Sequence, residues 1–289
     1  MKFLLPFLFI LALPLRTLPQ TSGSFATDMN FTTYLLKNNE YKDALLFLHS
    51  IKNNLTSQQS DSVYYQIGLC YYLKKSLDTS TAYFDSVSSH SVLYVKSNFF
   101  SLFNETYSGH YQSASQYISK LDNLSDSLSL EYRWYIENAI LLLTRDTRKF
   151  DTTVKKLSYR YFQLQEEEKN LSTYRFQLDS VKRRSPVIAG ILSALVPGAG
   201  RFYAGRPGQG ISSMFTVFPL AAMATESLLK AGPSSWNFII TGGLFSIFYF
   251  GNIWGSALSV KVKKNERYRK IDEDIKYDLH VAFRRIFLQ

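Results

Sequence analysis

Asn39-Glu40-Tyr41-Lys42-Asp43-Ala44, Lys75-Ser76-Leu77-Asp78-Thr79-Ser80 and Gly109-His110-Tyr111-Gln112-Ser113-Ala114 are three copies of one joint. In each, an aromatic or aliphatic residue (Tyr41, Leu77, Tyr111) stands three positions before a small one (Ala44, Ser80, Ala114). Leu48, Phe84 and Ile118 follow four positions later, on the same face of a helix. The small residue lets that helix approach the preceding one, and the larger residue plugs the turn between them. A fainter copy, Arg148-Lys149-Phe150-Asp151-Thr152-Thr153, is followed by Leu157. The last residues of the four copies lie 36, 34 and 39 positions apart. A period close to 34 is the signature of an array of helix-turn-helix units.

The surrounding sequence agrees. No proline falls between Gln20 and Pro186, and no strand-like alternation of any length is present. Residues 27–185 therefore read as helical, with the repeats over 27–160. These joints resemble the tetratricopeptide repeat. Gly68 and Tyr71 fit the first helix of its second copy, while Leu102 and Glu105 stand there in the third. The resemblance implies three or four repeats with a concave surface that takes a protein or peptide partner. Tyr161 to Arg184, within 161–185, reads as a capping helix, because a terminal repeat needs a polar outer face. Glu166-Glu167-Glu168 reads as a solvated face of that helix, and Tyr64, Tyr65, Tyr71 and Tyr72 as packing between helices.

Both ends of the chain differ from this middle. Met1-Lys2 and the apolar stretch to Leu15 have the form of an export signal over 1–26, with Ser24-Phe25-Ala26 as a cleavage site. After Lys182-Arg183-Arg184 come the apolar stretches Val187–Val196, Ile211–Leu229 and Asn237–Val260. A bilayer core needs about 20 residues of helix, so 186–260 reads as a membrane domain of two to three helices. Gly242, Gly243, Gly251 and Gly255 offer small faces for close helix packing. If Val187 to Tyr203 crosses, three spans leave the tail opposite the repeats, and the cluster beginning Lys261-Val262-Lys263-Lys264 favours that arrangement. If that segment is only re-entrant, two spans bring the tail back to the repeat side. Glu226 is a lone acid near the end of the middle stretch.

Between the first two apolar stretches lies Pro197-Gly198-Ala199-Gly200-Arg201-Phe202-Tyr203-Ala204-Gly205-Arg206-Pro207-Gly208-Gln209-Gly210. It is not a phosphate loop, because Arg206-Pro207 stands where Lys-Ser/Thr belongs and no strand precedes it. Glycines permit a tight turn, Phe202 and Tyr203 suit the headgroup level, and Arg201 and Arg206 can reach phosphates there. The stretch resembles the two-transmembrane-helix family marked by Gly-x-x-Arg-Phe-Tyr-x-Gly-Arg, then Gly and an apolar helix. Gly198, Arg201, Phe202, Tyr203, Gly205, Arg206 and Gly210 match it, with Trp254 as its later tryptophan. Gly200 replaces a customary His, and no Asp follows Trp254 within Gly255-Ser256-Ala257-Leu258, so no role for those polar residues is carried over.

Residues 261–289 carry an amphipathic helix from Asn265 to Phe287, with Tyr268, Ile271, Ile275, Leu279, Ala282, Phe283 and Ile286 on one stripe. Such a helix lies on a membrane surface or docks a partner. The net charge of +10 is unevenly spread: residues 27–185 hold 19 basic and 17 acidic side chains, residues 186–289 hold 12 and 6. The excess lies beside the apolar helices, which argues for lipid contact and topology and against nucleic acid. The single cysteine, Cys70, forms no internal disulfide, and the four histidines have no metal-ligand spacing with one another or with it.

No nucleophile motif, metal set or cofactor site is legible, so the chain reads as a non-enzyme. The expected fold is all-α: a helical-repeat solenoid, a membrane hairpin or bundle, and an amphipathic tail. The expected function is a membrane-anchored scaffold of the bacterial envelope, its repeats on the exported side of the inner membrane. The alternative is an accessory component of a transport or protein-insertion system that acts through the C-terminal helices. The sequence does not set the oligomeric state.

Overall fold

The computed structural model describes residues 24–52, 55–122 and 124–288; the export signal lies almost wholly outside them. The described residues form thirteen α-helices, one 3-10 turn and no strand. Two compact units divide the chain, Met1–Ser97 and Asn98–Gln289.

The first unit holds α1 (Phe25–Lys37), α2 (Tyr41–Ile51), α3 (Ser57–Leu73), α4 (Leu77–Phe84) and the start of α5 (Tyr94–Ser108). Thr56 opens α3 with a capping box, taking the Gln59 backbone N–H while the Gln59 side chain takes its own. Where α3 crosses α4, the Ser80 hydroxyl donates to the Gly68 carbonyl at 2.9 Å. A Cβ on Gly68 would lie 2.9 Å from the Phe84 ring, so the absent side chain sets how closely the helices approach. Ala44, Leu48 and Ser80 have no exposed surface. Tyr71 stacks on Tyr83 at 5.4 Å, and Tyr41 bonds to Asn39.

Four turns have one design. Asn39, Lys75, Gly109 and Arg145 all take positive φ, at 61°, 61°, 91° and 66°. The N–H one residue further on reaches back to a carbonyl five residues earlier: Glu40 to Leu35, Ser76 to Tyr71, His110 to Glu105 and Asp146 to Leu141, each at 2.9 Å. This is the Schellman arrangement, which satisfies the last carbonyls of a helix and reverses the chain. It also corrects the fourth copy. The joint there begins at Arg145 rather than Arg148, so Phe150 stands where Ala44, Ser80 and Ala114 stand, and it is 2% exposed. The spacing is then 36, 34 and 36. Leu157, although buried, lies beyond this helix in extended backbone.

In the second unit, α6 (Tyr111–Lys120), α7 (Ser127–Leu143) and α8 (Thr147–Thr153) complete these pairs, and the 3-10 turn Val154–Lys156 leads toward α9 (Gln165–Lys182). Ala114 and Ile118 are buried on α6, while Tyr111 is half-buried at its start. Then come α10 (Pro186–Leu195), α11 (Ala199–Tyr203), α12 (Pro207–Ala231) and α13 (Trp236–Phe287). Pro186 and Pro207 open their helices at a position whose N–H has no helical partner anyway. Gly232, at φ 78°, ends α12, and Ser235 caps α13.

Two helices, α12 and the first part of α13, are long and apolar enough to cross a membrane. Only 17% and 6% of their most apolar stretches is buried, so they are not covered by the rest of the chain. Phe215, Leu229, Ile247 and Phe250 face outward on them, where water would impose a hydrophobic penalty of about 25 cal/mol per Å².

Candidate functional site

The glycine-rich turn folds the chain back on itself. Over the 10 residues of α10 the backbone rises ~15 Å, half of a ~30 Å bilayer core. Val196 is then extended, Gly198 adopts φ 89°, and α11 runs back along α10. A Cβ on Gly200 would lie 1.9 Å from the Ala189 carbonyl oxygen, and one on Gly198 would lie 2.3 Å from that of Gly210. Only glycine permits either approach. At the base, Ser185 N–H donates to the Tyr203 hydroxyl at 3.1 Å, and a Cβ on Gly205 would meet the Arg184 guanidinium. Residue 205 has thus returned to the level of residue 184. Val187–Tyr203 thus folds as a hairpin with α10 too short to span a bilayer core, which leaves two helices among the described residues long and apolar enough to cross.

A buried polar network that the sequence did not single out holds this hairpin to α13. The Ser193 hydroxyl donates to Ser256 Oγ at 2.7 Å and accepts the Gly200 N–H at 2.9 Å. Asn252 accepts from Gly198 N–H and donates to the Ser193 carbonyl, both at 3.2 Å, and the Tyr249 hydroxyl donates to the Ala194 carbonyl. Each group has a partner, as burial away from water demands. The remaining motif residues take structural roles. Phe202 packs over Gly210, Arg201 donates to the Gln209 carbonyl beside Gly255, and Arg206 pairs with Glu266 at 2.6 Å. Pro197 lies in the turn before Gly198. Both arginines thus have partners within the chain, Arg206 the stronger one. Of the small faces, that at Gly255 lies against the Arg201 guanidinium. Gly243 and Gly251 face open space, and Gly242 meets only Phe238 of its own helix.

A further correction concerns the tail. Helix α13 does not break after Val260 but runs unbroken from Trp236 to Phe287, 52 residues in all, and its C-terminal part packs into the second unit's core. Phe283 has no exposed surface; its ring lies 4.4 Å from that of Phe103 and 4.7 Å from that of Phe100. Phe287 meets Phe99 and Tyr132. Asp278 accepts from the Tyr174 hydroxyl at 2.7 Å and from Asn170 at 2.9 Å. Arg285 donates to Glu167 and to the Gln163 carbonyl. Rising numbers on α9 therefore meet falling numbers on α13, which makes the pair antiparallel. The tail thus packs within its own chain, an arrangement that neither sequence alternative, a membrane surface or a docked partner, describes.

Arg145 adds a clamp at its positive-φ turn. It makes two parallel bonds to Asp272, at 2.7 and 2.8 Å, and stacks 4.8 Å over Tyr268. Both partners are less than one-third exposed, so the forked geometry counts. A double-mutant cycle with Arg145→Ala and Asp272→Ala, read by urea unfolding in detergent, is expected to give a coupling energy of about 1–2 kcal/mol. Additive effects would exclude the clamp.

The reading of Glu166-Glu167-Glu168 as a solvated face is also corrected: Glu167 is 3% exposed and Glu168 fully buried. Burial, and then the facing Glu131 carboxyl, push Glu168 up to about 8. The folded state therefore prefers the protonated acid. Its contribution to stability is complete below its ordinary value near 4.5 and is lost as pH rises through about 8. The unfolding midpoint is expected to fall between pH 5 and 8.5, and Glu168→Gln to flatten that slope and stabilise the chain at pH 8.5 by roughly 2–4 kcal/mol. An unchanged slope in the variant would place the titration elsewhere.

Cys70 is buried, and its surroundings push the thiol up to about 12. Glu226 pairs with Lys230 at 2.6 Å near the end of α12, and both are exposed. Among the described residues, no three His, Cys, Asp or Glu side chains gather as a cation site. No family model, no characterised protein and no solved structure matches this chain.

Proposed function

We infer that this chain is a membrane-anchored scaffold: α12 and α13 cross the bilayer, α10 and α11 enter and leave one leaflet, and the tail docks on the helices of the second unit. The observation that carries this is the continuity of α13 from its exposed apolar stretch into the aromatic core around Phe283. From Val260 to Phe283 is ~35 Å of helix, which fixes the height of the docked helices above the lipid without a flexible linker. Two crossings place the tail and the repeats on one side, and the export signal makes that the exported side of the inner membrane. The chain acts by binding rather than by catalysis.

The tail takes up the apolar face of α5 and α7, so an outside protein partner falls to the first two repeats. Tyr34 and Leu46 are 60% and 70% exposed there. The transport alternative draws on Glu226 or Arg201, and the pairing of Glu226 with Lys230 removes one of its two supports. A photo-crosslinking residue placed in the full chain in cells tests the reading. Tyr34 and Leu46 are expected to give one discrete protein adduct, and Phe176, exposed on α9, none. No adduct, or the same adduct from all three, would remove the scaffold reading.

A further inference from the structure

One cation of the membrane domain has no counter-charge. Arg206 is neutralised by Glu266 at 2.6 Å, whereas Arg201 forms no ion pair among the described residues, and its one hydrogen bond runs from Nη1 to the Gln209 carbonyl at 3.3 Å. That carbonyl already takes the Ser213 hydroxyl at 2.9 Å, so the arginine holds only a weak share of it. Arg201 Nε is buried without a partner. The chain nevertheless clears room for the guanidinium, since a Cβ at Gly255 would lie 2.8 Å from Nη2. The side chain is only half-buried, its bond to Gln209 lies at the surface, and nothing crowds Gly208 within 4 Å. Charges held in or beside a membrane are ordinarily paired, so this arrangement leaves an anion to come from outside the chain.

Two helices place this guanidinium at the edge of the hydrocarbon. On α12 the apolar stretch begins at Ile211, just after Gln209. On α13 the tryptophans Trp236 and Trp254 are 78% and 77% exposed. They are separated by ~27 Å of helix, close to the ~30 Å of a bilayer core, and tryptophan favours the two boundaries of that core. Gly255, against which Arg201 lies, directly follows Trp254. Headgroup phosphates begin at that level, and a guanidinium can fork onto two phosphate oxygens. Resting on the reading that α12 and α13 cross a bilayer, we propose that Arg201 binds the phosphodiester of a membrane phospholipid.

The test uses the full chain in detergent and two probes with the same acyl chains, dioleoyl phosphatidylglycerol and dioleoylglycerol, which lacks the phosphate. Native mass spectrometry counts the lipid retained. Wild type is expected to keep the phospholipid by about five-fold or more over dioleoylglycerol, and Arg201→Gln to lose that preference. Lys261→Gln removes an equal charge from an exposed position on α13 and should keep it. Should Arg201→Gln not fold, Gly255→Ala, which retains the charge but pushes Nη2 aside, decides in its place by the same loss. No preference in wild type, a preference kept by the deciding variant, or an equal loss in Lys261→Gln would overturn the site. So would displacement of the lipid by inorganic phosphate at concentrations comparable to the lipid's own, which would make the ligand a free anion. A protein retained by wild type and lost from the deciding variant would overturn it too, by making the occupant an acidic side chain of a partner. Alkaline carbonate extraction of wild-type membranes is run first. Release into the soluble fraction refutes the membrane reading itself and the site with it, whereas retention leaves the lipid result to judge the site alone.

Discussion

Phe283→Ala is expected to destabilise the second unit by about 3–5 kcal/mol, the cost of emptying a fully buried aromatic site. The ring is wedged among Phe100, Phe103 and Phe287, and these neighbours belong to separate turns that cannot collapse together into the space. The loss should be local before it is global, because the tail is held mainly by this cluster and by side-chain bonds at Asp272, Asp278 and Arg285. In detergent, limited trypsin digestion should cut the variant at Lys276 and Arg285 under conditions that leave wild type intact. Tyr277→Ala, on the same helix but 67% exposed, should change stability by less than about 0.5 kcal/mol. Equal behaviour of the two variants would mean that the tail is not part of the core.

Gly200→Ala is the second large effect. One added carbon would lie 1.9 Å from the Ala189 carbonyl oxygen and 2.6 Å from Ser193 Oγ. The obstacle is backbone, so no rotamer change relieves it, and separating α11 from α10 also breaks the Gly200 to Ser193 bond. A cost of about 3 kcal/mol or more is expected, from overpacking together with a buried polar group left unpaired. It should appear as a lower melting temperature in detergent and reduced abundance in membranes. Gly208→Ala, where nothing lies within 4 Å, should be neutral or stabilising by up to about 1 kcal/mol. A Gly200→Ala protein as stable as wild type would remove the re-entrant hairpin from the account.

How far the sequence could be read follows from where its signals are local. The Schellman turns were legible because residues 39–44, 75–80 and 109–114 each carry the whole joint within six positions. The fourth slipped by three because Phe150 fills the place of the small residue; the capping signal was Asp146, whose side chain takes the Lys149 N–H. The glycines of the membrane turn could be recognised as a tight turn, but not the partners they approach: Ser193, Asn252 and Ser256 lie up to 63 residues apart. The continuity of α13 was concealed by the charged stretch after Val260. No glycine or proline interrupts 257–264, and that absence of a stop was the usable sign. Glu167 and Glu168 looked solvated because nothing in their own helix shows Arg285 of the tail, which pairs with Glu167, or Glu131 of α7, which faces Glu168.

The side of the membrane on which the tail lies decides most directly between a clamp and a separate cytosolic appendage. Single cysteines at Phe162, Ser234 and Tyr277, all exposed positions, can be probed in intact cells with a maleimide that does not cross membranes, Cys70 being buried. The account predicts that positions 162 and 277 label alike and that position 234, in the turn between α12 and α13, labels only from the opposite side. Labelling of 277 together with 234, and not with 162, would contradict it.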